Sequence, residues 1–310
     1  MADNPHHGQT QSAGAQTTGH VWDGDLQELN NPLPAWWTYT FYATMVFALV
    51  YWVIYPSWPI GKGFLPGMST ITYLNADGKE ESWHWNTRAK LLKESQDAVI
   101  AQKPYYDKVA GLPYEQIGKD PELSSFVLSA GKAVFSDNCA GCHQAGGQGK
   151  VGLFPNLVDD DWLHGGGFDK INQTISKGRR GYMPPFGEAL DQAQVDELAQ
   201  YVFSLSGGKA DPVKAGKGKE LFHSQTGACY YCHGDDAKGR QVIGSANLTD
   251  KVWLWADVPG LADDAAKIGA IKKVIAGGLD KGVMPAWESR LNAEQIKLLT
   301  VYVHELGGGK

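Results

Sequence analysis

Four cysteines are all the chain contains, and they fall in two identical frames: Cys139-Ala140-Gly141-Cys142-His143 and Cys229-Tyr230-Tyr231-Cys232-His233. Two thiols separated by two residues and followed at once by histidine form the attachment signal for c-type haem. The thiols become thioethers to the vinyl groups, and the imidazole becomes an iron ligand. Two copies that consume every thiol leave chance or a redox dithiol as the poorer readings. A structural zinc site would need both pairs to converge on one metal, with the two histidines unexplained. Two covalently bound haem c groups are the expectation.

An iron that only carries electrons needs a second axial ligand, and the methionines narrow the choice. There are five: Met1, Met45, Met68, Met183 and Met284. The two beyond residue 68 each sit in a Gly-x-Met-Pro motif, with Gly181 and Pro184 around Met183, and Gly282 and Pro285 around Met284. Met183 follows His143 by 40 residues and Met284 follows His233 by 51. Each distance is a workable loop for presenting a thioether on the far face of a haem, which pairs Met183 with His143 and Met284 with His233. A thioether is soft and neutral and raises the reduction potential relative to a second imidazole. Iron ligated on both faces has no position left for oxygen or peroxide, so such sites move one electron and break no bonds. No catalytic residue is expected.

The remaining histidines, His6, His7, His20, His84, His164, His223 and His304, occupy no repeated position and read as surface or capping residues. Pro155 lies twelve residues after His143, before Asn156-Leu157. In class I cytochromes c a proline at that spacing offers its carbonyl to the imidazole N–H of the haem histidine, which fixes the ring and tunes its basicity. The second copy has Ser245-Ala246-Asn247-Leu248 there. A different acceptor is expected, and two haems that are not electronically identical.

These ligands are carried by a duplicated unit. Leu190-Asp191-Gln192-Ala193-Gln194 aligns with Leu291-Asn292-Ala293-Glu294-Gln295, and Tyr201-Val202 with Tyr302-Val303. These pairs and the Gly-x-Met-Pro motifs are 101 residues apart, whereas the cysteines are 90 apart, which places an eleven-residue insertion in the second copy, around Trp253 to Lys267. Asp120 with Pro121 reads as a helix start. Leu123, Val127, Ala130 and Val134 then recur at helical spacing up to the first motif. The closing helices show Val195, Leu198, Val202 and Leu205, matched by Ile296, Leu299, Val303 and Leu306, and end at Gly207-Gly208 and at Gly307 to Gly309. Those stripes read as core. Little strand pattern follows the apolar segment, and Ala89 to Gln102 reads as an amphipathic helix.

Residues 36 to 55 are twenty consecutive uncharged residues. At about 1.5 Å per residue they span about 30 Å, the hydrocarbon thickness of a bilayer. Trp36, Trp37 and Tyr39 mark one edge, and Trp52, Tyr55 and Trp58 the other. The 35 residues before it carry no Lys or Arg, which disfavours a cleaved leader and points to an uncleaved single-span anchor in membrane lipid. Lys62, the first basic residue after the span, weakly places the later part in the cytoplasm by charge. Haem attachment on the outer face of the bacterial membrane argues the reverse and carries more weight. The expectation is a cytoplasmic tail and periplasmic haem domains on the inner membrane.

The composition agrees. The chain has 310 residues, 20% charged and 43% apolar, which fits globular domains rather than disorder. A mean hydropathy of -0.32 is too polar for many membrane spans. A net charge of -6 without a basic run excludes nucleic acid as a partner. The fold class is all-α: a single N-terminal transmembrane helix followed by two tandem class I cytochrome c domains. The divisions are a tail at 1–35, the span at 36–56, a spacer at 57–120, and haem domains at 121–208 and 209–310.

Ahead of the span stands Asp23-Gly24, then Leu26-Gln27-Glu28-Leu29-Asn30-Asn31-Pro32-Leu33-Pro34-Ala35-Trp36-Trp37. That string, a span ending in Tyr55-Pro56 and two haem domains together resemble the dihaem subunit, CcoP or FixP, of cbb3-type cytochrome c oxidases, over essentially the whole chain. The resemblance implies a subunit that is not an enzyme on its own. It takes electrons from a soluble or membrane-bound c-type cytochrome and passes them to a monohaem cytochrome c subunit. From there they reach the haem-copper catalytic subunit, which reduces oxygen and pumps protons. Carried over by position, Cys139, Cys142, His143 and Met183 hold one haem, and Cys229, Cys232, His233 and Met284 the other. The rival is an anchored dihaem shuttle for another respiratory complex such as a dehydrogenase, against which the Asn-Asn-Pro-Leu-Pro-x-Trp-Trp segment argues.

Overall fold

A computed structural model describes residues 16–280 and 282–307. The chain forms two compact units, one ending at Ala101 and the other beginning at Gln102.

In the first unit, β1 (Thr17–Trp22) and β2 (Leu26–Leu29) form an antiparallel hairpin. Its turn is Asp23-Gly24, both at positive φ (51° and 90°), the conformation that Asp-Gly turns favour between twisted strands. Helix α1 (Ala35–Ile54) follows Pro34 and contains 20 residues, none of them buried. It is long and apolar enough to cross a membrane, with a mean hydropathy of 1.3. Its three threonines bond back to backbone carbonyls, Thr38 to Pro34, Thr40 to Trp36 and Thr44 to Phe41, which pairs their hydroxyls within the helix itself. The last carbonyls of the helix are capped by the returning chain, with Met68 N donating to Val53 O at 3.1 Å and Ser69 N to Ile54 O at 2.8 Å. Gly67, at φ +74°, makes that approach possible, since a Cβ there would lie 2.5 Å from the Ile54 carbonyl oxygen.

The spacer is more structured than the sequence reading allows. After the short pair β3 (Pro59–Ile60) and β4 (Gly63–Phe64), strands β5 (Thr70–Leu74) and β6 (Glu80–His84) form a five-residue antiparallel ladder. The Thr-Ile-Thr-Tyr-Leu sequence is rich in the β-branched and aromatic residues that strands favour. Gln96 clamps the hairpin by bonding both the N–H and the C=O of Leu74. Gln96 lies on α2 (Thr87–Gly111), which is longer than the Ala89–Gln102 stretch expected and carries Pro104 in its interior.

The second unit is helical. Short α3 (Tyr114–Ile117) precedes α4 (Pro121–Asn138), the one-turn α5 (Ala140–His143), α6 (Phe168–Lys177), β7 (Arg179–Arg180) and α7 (Gln192–Leu205). The second copy is α8 (Pro212–Phe222), the one-turn α9 (Tyr230–His233), α10 (Asp264–Gly277), β8 (Val283–Met284) and α11 (Ala293–Glu305). Caps recur at matched positions. Asp120 and Asp211 each accept two N–H bonds ahead of a proline, and Asp191 with Gln194 and Asn292 with Gln295 form capping boxes.

Packing does not follow chain order. The closing helix of the second copy, α11, packs on α4 and α6 of the first, and the closing helix of the first copy, α7, packs on α8 and α10 of the second. Division into 121–208 and 209–310 therefore differs from the packing, in which each lobe borrows its last helix from the other copy. One core joins Phe135, Ile171 and Ile175 to Ile296, Leu299, Tyr302 and Val303, and the other joins Val195, Leu198, Ala199 and Val202 to Phe222, Ile271 and Ile275. Glycines let the exchanged helices touch. A Cβ on Gly131 of α4 would sit 2.7 Å from Tyr302 Cβ of α11, and one on Gly218 of α8 would overlap the Glu197 carbonyl of α7. The crossing point is a two-stranded ribbon in which β7 pairs with β8, Arg179 opposite Met284 and Arg180 opposite Val283. A third core, of Val109, Ile117, Leu123, Val127, Leu298 and Val301, seats the end of α2 on α4 and α11.

Candidate haem-binding sites

Each Cys-x-x-Cys-His frame folds into a single helical turn. Cys139 ends α4 and caps α5, and His143 N bonds Cys139 O at 2.9 Å. In the second copy His233 N bonds Cys229 O at 2.9 Å. One turn of helix thus sets the first thiol and the imidazole four residues apart on one face. The chain then reverses through a left-handed residue, Gln144 at φ 66° in one lobe and Gly234 at φ 81° in the other. Cys139 and Cys229 are half-buried, and Cys142 and Cys232 are exposed. Burial pushes the Cys139 and Cys229 thiols up to about 11.

Both imidazoles are oriented by a backbone carbonyl. His143 Nδ1 lies 3.0 Å from Pro155 O, and His233 Nδ1 lies 2.9 Å from Ala246 O. A carbonyl accepts only, so Nδ1 carries the proton and Nε2 presents its lone pair, the tautomer an iron ligand needs. Burial holds both rings below the ordinary histidine range and thus neutral, against the opposing carbonyl bond. The acceptor in each lobe is the carbonyl just before Asn-Leu, and the leucine N–H ties the loop back, Leu157 to Gly147 O and Leu248 to Ala237 O. Where the second lobe lacks proline, Ser245 holds the loop instead. Its hydroxyl accepts from Arg240 N at 2.8 Å and donates to Cys232 O at 2.6 Å. A Cβ on Gly149 or Gly239 would overlap the loop carbonyls of Pro155 or Ser245, so both turns close tightly.

The methionines stand on the crossing ribbon. Met284 packs on the same core as Cys139, Ala140, Leu157 and Trp162 of the first lobe. That is not the neighbourhood of the second motif, with which residue order pairs it. Met183 is half-buried, and its N–H and C=O both bond Leu279, at 2.8 Å each. Phe186, three residues on, packs on the core that holds Cys229, Tyr230 and Leu248.

The other histidines take bland roles. His223 bonds the Lys219 and Asp235 carbonyls, His304 stacks on Phe168 with ring centroids 4.0 Å apart, His84 accepts from Trp83 Nε1, and His20 stacks on Trp22. His164 is partly buried, which holds it below the ordinary range. His6 and His7 lie outside the described residues. Asp159-Asp160-Asp161 is not a freely solvated run. Asp161 is half-buried, and burial with the Asp250 and Asp159 carboxylates pushes it up to about 6. A cleft of about 250 Å³ adjoins it, lined by Asp160, Asp161, Trp162, Lys238 and Arg240. The insertion in the second copy reaches the first lobe, with Gly152 N bonding Leu254 O at 2.7 Å and the Trp255 ring against Gly282. That reach, like the exchange of closing helices, depends on long-range packing that residue spacing does not encode.

Comparison with known proteins gives two family matches. Residues 14–62 match the N-terminal domain of cytochrome oxidase-cbb3, FixP, and residues 127–202 and 213–303 match cytochrome c oxidase, cbb3-type, subunit III. Among curated relatives, the cbb3-type cytochrome c oxidase subunit FixP of Azorhizobium caulinodans is 44% identical over 98% of both chains. FixP of Bradyrhizobium diazoefficiens is 42% identical over 96% of this chain and 97% of its own. CcoP of Rubrivivax gelatinosus is 42% identical over 94% of this chain and 84% of its own. The chain belongs to the FixP/CcoP family. It is an oxidase subunit of the electron-transfer kind, built as the sequence suggests from one apolar N-terminal helix and tandem cytochrome c domains. The family implies c-type haem, and the residues present fit it: two thiols and a carbonyl-oriented imidazole on one turn, against an apolar wall that includes Trp162 and Leu157 in one lobe and Tyr230 and Leu248 in the other.

Proposed function

We propose that this FixP/CcoP chain carries two covalent haem c groups and relays electrons through them into the rest of a cbb3-type oxidase. The observation that carries the reading is the matched pair of imidazoles, each with Nδ1 about 3 Å from a loop carbonyl (3.0 and 2.9 Å) and each within one turn of two thiols. Bound haem supplies a one-electron iron couple. Cys139 and Cys142, and Cys229 and Cys232, would tether the two groups, and His143 and His233 would ligate iron through Nε2. Met183 and Met284 would supply the opposite ligands and close both irons to oxygen. The carbonyls of Pro155 and Ala246 hold each ring in one orientation, so little rearranges when the charge of the site changes. Electrons enter from a soluble or membrane-bound c-type cytochrome and leave toward a monohaem subunit and the haem-copper subunit. The α1 helix anchors the chain in the inner membrane with its haem domains in the periplasm.

Mild-detergent purification of the full chain, followed by assays of haem b, copper and oxygen uptake with a reduced c-type donor, tests this reading. Co-purification with a haem b and copper oxidase is expected. A chain that comes down alone, or with a dehydrogenase, contradicts it.

A further inference from the structure

We infer that the loop from Trp58 to Met68, which carries β3 and β4, is a second membrane anchor that lies in the headgroup layer of a lipid bilayer. The inference rests on the reading of α1 as a membrane span and adds a lipid contact that the span does not make.

Of the eleven residues from Trp58 to Met68, only Lys62 is charged, and the others are apolar residues, proline or glycine. The side chains of Trp58, Ile60, Phe64, Leu65 and Met68 are all exposed. So many apolar side chains gathered in one short loop are costly to leave in water. The backbone of the loop turns its bonds inward. Ser57 N donates to Leu65 O at 3.0 Å and Leu65 N to Trp58 O at 2.9 Å. Pro59 and Pro66 have no N–H to satisfy. Internal pairing of this kind is what an apolar surround demands of a backbone.

The end of α1 fixes the height of the loop. Before it, Ser57 Oγ donates to Trp52 O at 3.0 Å, and at its far end Met68 N donates to Val53 O at 3.1 Å. Both ends are therefore tied to the last turn of the span, where an apolar helix meets the headgroups. Aromatic rings from separate segments collect at that level. Trp58 meets Trp52 edge-on with centroids 4.8 Å apart, Trp85 meets Tyr55 at 5.1 Å, and Phe64 meets His84 at 5.0 Å. Tryptophan and tyrosine favour the boundary between lipid and water. Lys62 stands in the turn between β3 and β4, and its aliphatic stem lets the ammonium reach a lipid phosphate from an apolar layer. Strand β5 starts at Thr70, next to the Ser69 N–H that caps Ile54 O. A loop held in the headgroups thus fixes the depth at which the β5–β6 hairpin leaves the bilayer.

The test uses the mature full-length chain, with the subunits that purify with it, in vesicles of phosphatidylcholine and phosphatidylglycerol. With the four motif thiols held in thioethers, one introduced cysteine takes up a single environment-sensitive dye. Ile60→Cys and Met68→Cys report on the loop, since both side chains are exposed, at 58% and 77%. Met45→Cys reports on the span and Lys79→Cys on the far turn of the β5–β6 hairpin. Lipid with brominated acyl chains should quench the dye at 60 and 68, aqueous iodide should not, and the dye at 79 should show the reverse. Iodide quenching at 60 and 68 as strong as at 79, with 45 still shielded, overturns the second anchor and leaves the span. Dyes at 60 and 68 that neither agent reaches are covered by protein, which overturns the lipid contact. Iodide quenching at 45 overturns the span and the loop anchor together.

Discussion

The two lobes of the second unit do the same job with different local means. In the first, a proline carbonyl orients the histidine and the ring of Pro155 stiffens the loop. In the second, Ala246 supplies the carbonyl, and the Ser245 hydroxyl, through two hydrogen bonds, does the stiffening. In the first, a half-buried carboxyl stands at Asp161, four residues after Leu157, while the second has Val252 four residues after Leu248. The carbonyl-to-imidazole contact is kept within 0.1 Å between lobes (3.0 against 2.9 Å) while the residues behind it change. What duplication preserves is the geometry at the motif histidine, and what it lets drift is the scaffold.

The largest expected effects come from the exchanged helices. Leu299 of α11 and Leu198 of α7 are both essentially sealed from solvent, at 0% and 1% exposure. Truncation of either to alanine costs about 2–5 kcal/mol. In denaturant unfolding followed by haem absorbance, Leu299→Ala should first disturb the haem on Cys139 and Leu198→Ala the one on Cys229, although each helix follows the opposite assignment in chain order. Loss confined to the haem of the same copy would break the comparison.

The glycine contacts rank next. Gly131→Ala must displace the Tyr302 side chain, at about 1–3 kcal/mol. Gly218→Ala meets the Glu197 backbone, which cannot rotate away, so its midpoint for thermal unfolding should fall further than that of Gly131→Ala. Equal losses would mean that the two helix crossings are not as different as their contacts indicate.

Ser245→Ala removes two hydrogen bonds and should cost about 1–2 kcal/mol. With the loop looser, the His233 ring donates less strongly, so the potential of that haem should rise slightly while the other stays fixed. A potentiometric titration that moves both, or neither, argues against the local role. The smallest effect is pH-dependent. The Asp161 carboxyl is raised to about 6 in the fold, from an ordinary value of 3.8. A raised carboxyl favours folding when protonated, so its contribution is complete below about pH 4 and lost as pH rises through 6. Asp161→Asn should therefore be more stable than the native chain above pH 6, by about 1 kcal/mol after allowance for solvent screening, with the gap closing toward pH 4. Thermal unfolding at both ends of that range checks the sign.

Much of the site is legible in residue types. Cys-x-x-Cys-His at two places, two methionines in matched frames and a twenty-residue apolar run each have one strong physical meaning, and the helix cap at Asp120 stands where the sequence puts it. The Ala246 acceptor was legible only as a gap, because a carbonyl belongs to every residue and only proline marks one by type. The β5–β6 hairpin hid in a spacer with no chemical motif, and the β1–β2 hairpin was announced only by Asp23-Gly24. The exchange of closing helices was not legible at all. Repeats with the same apolar stripe can pack on either copy, and it takes the packed structure, with Gly131 against Tyr302 and Gly218 against Glu197, to show which partner each helix takes.

The most direct test of that exchange is a cut. A specific protease site inserted after Lys209, in the exposed link between α7 and α8, severs the two copies after the full chain has folded and matured. If the closing helices are exchanged, the fragment beginning at Ala210 stays with the rest through size exclusion and leaves only in denaturant, with both methionine absorption bands lost together. A fragment that elutes alone with one haem and its own methionine band would contradict the exchange.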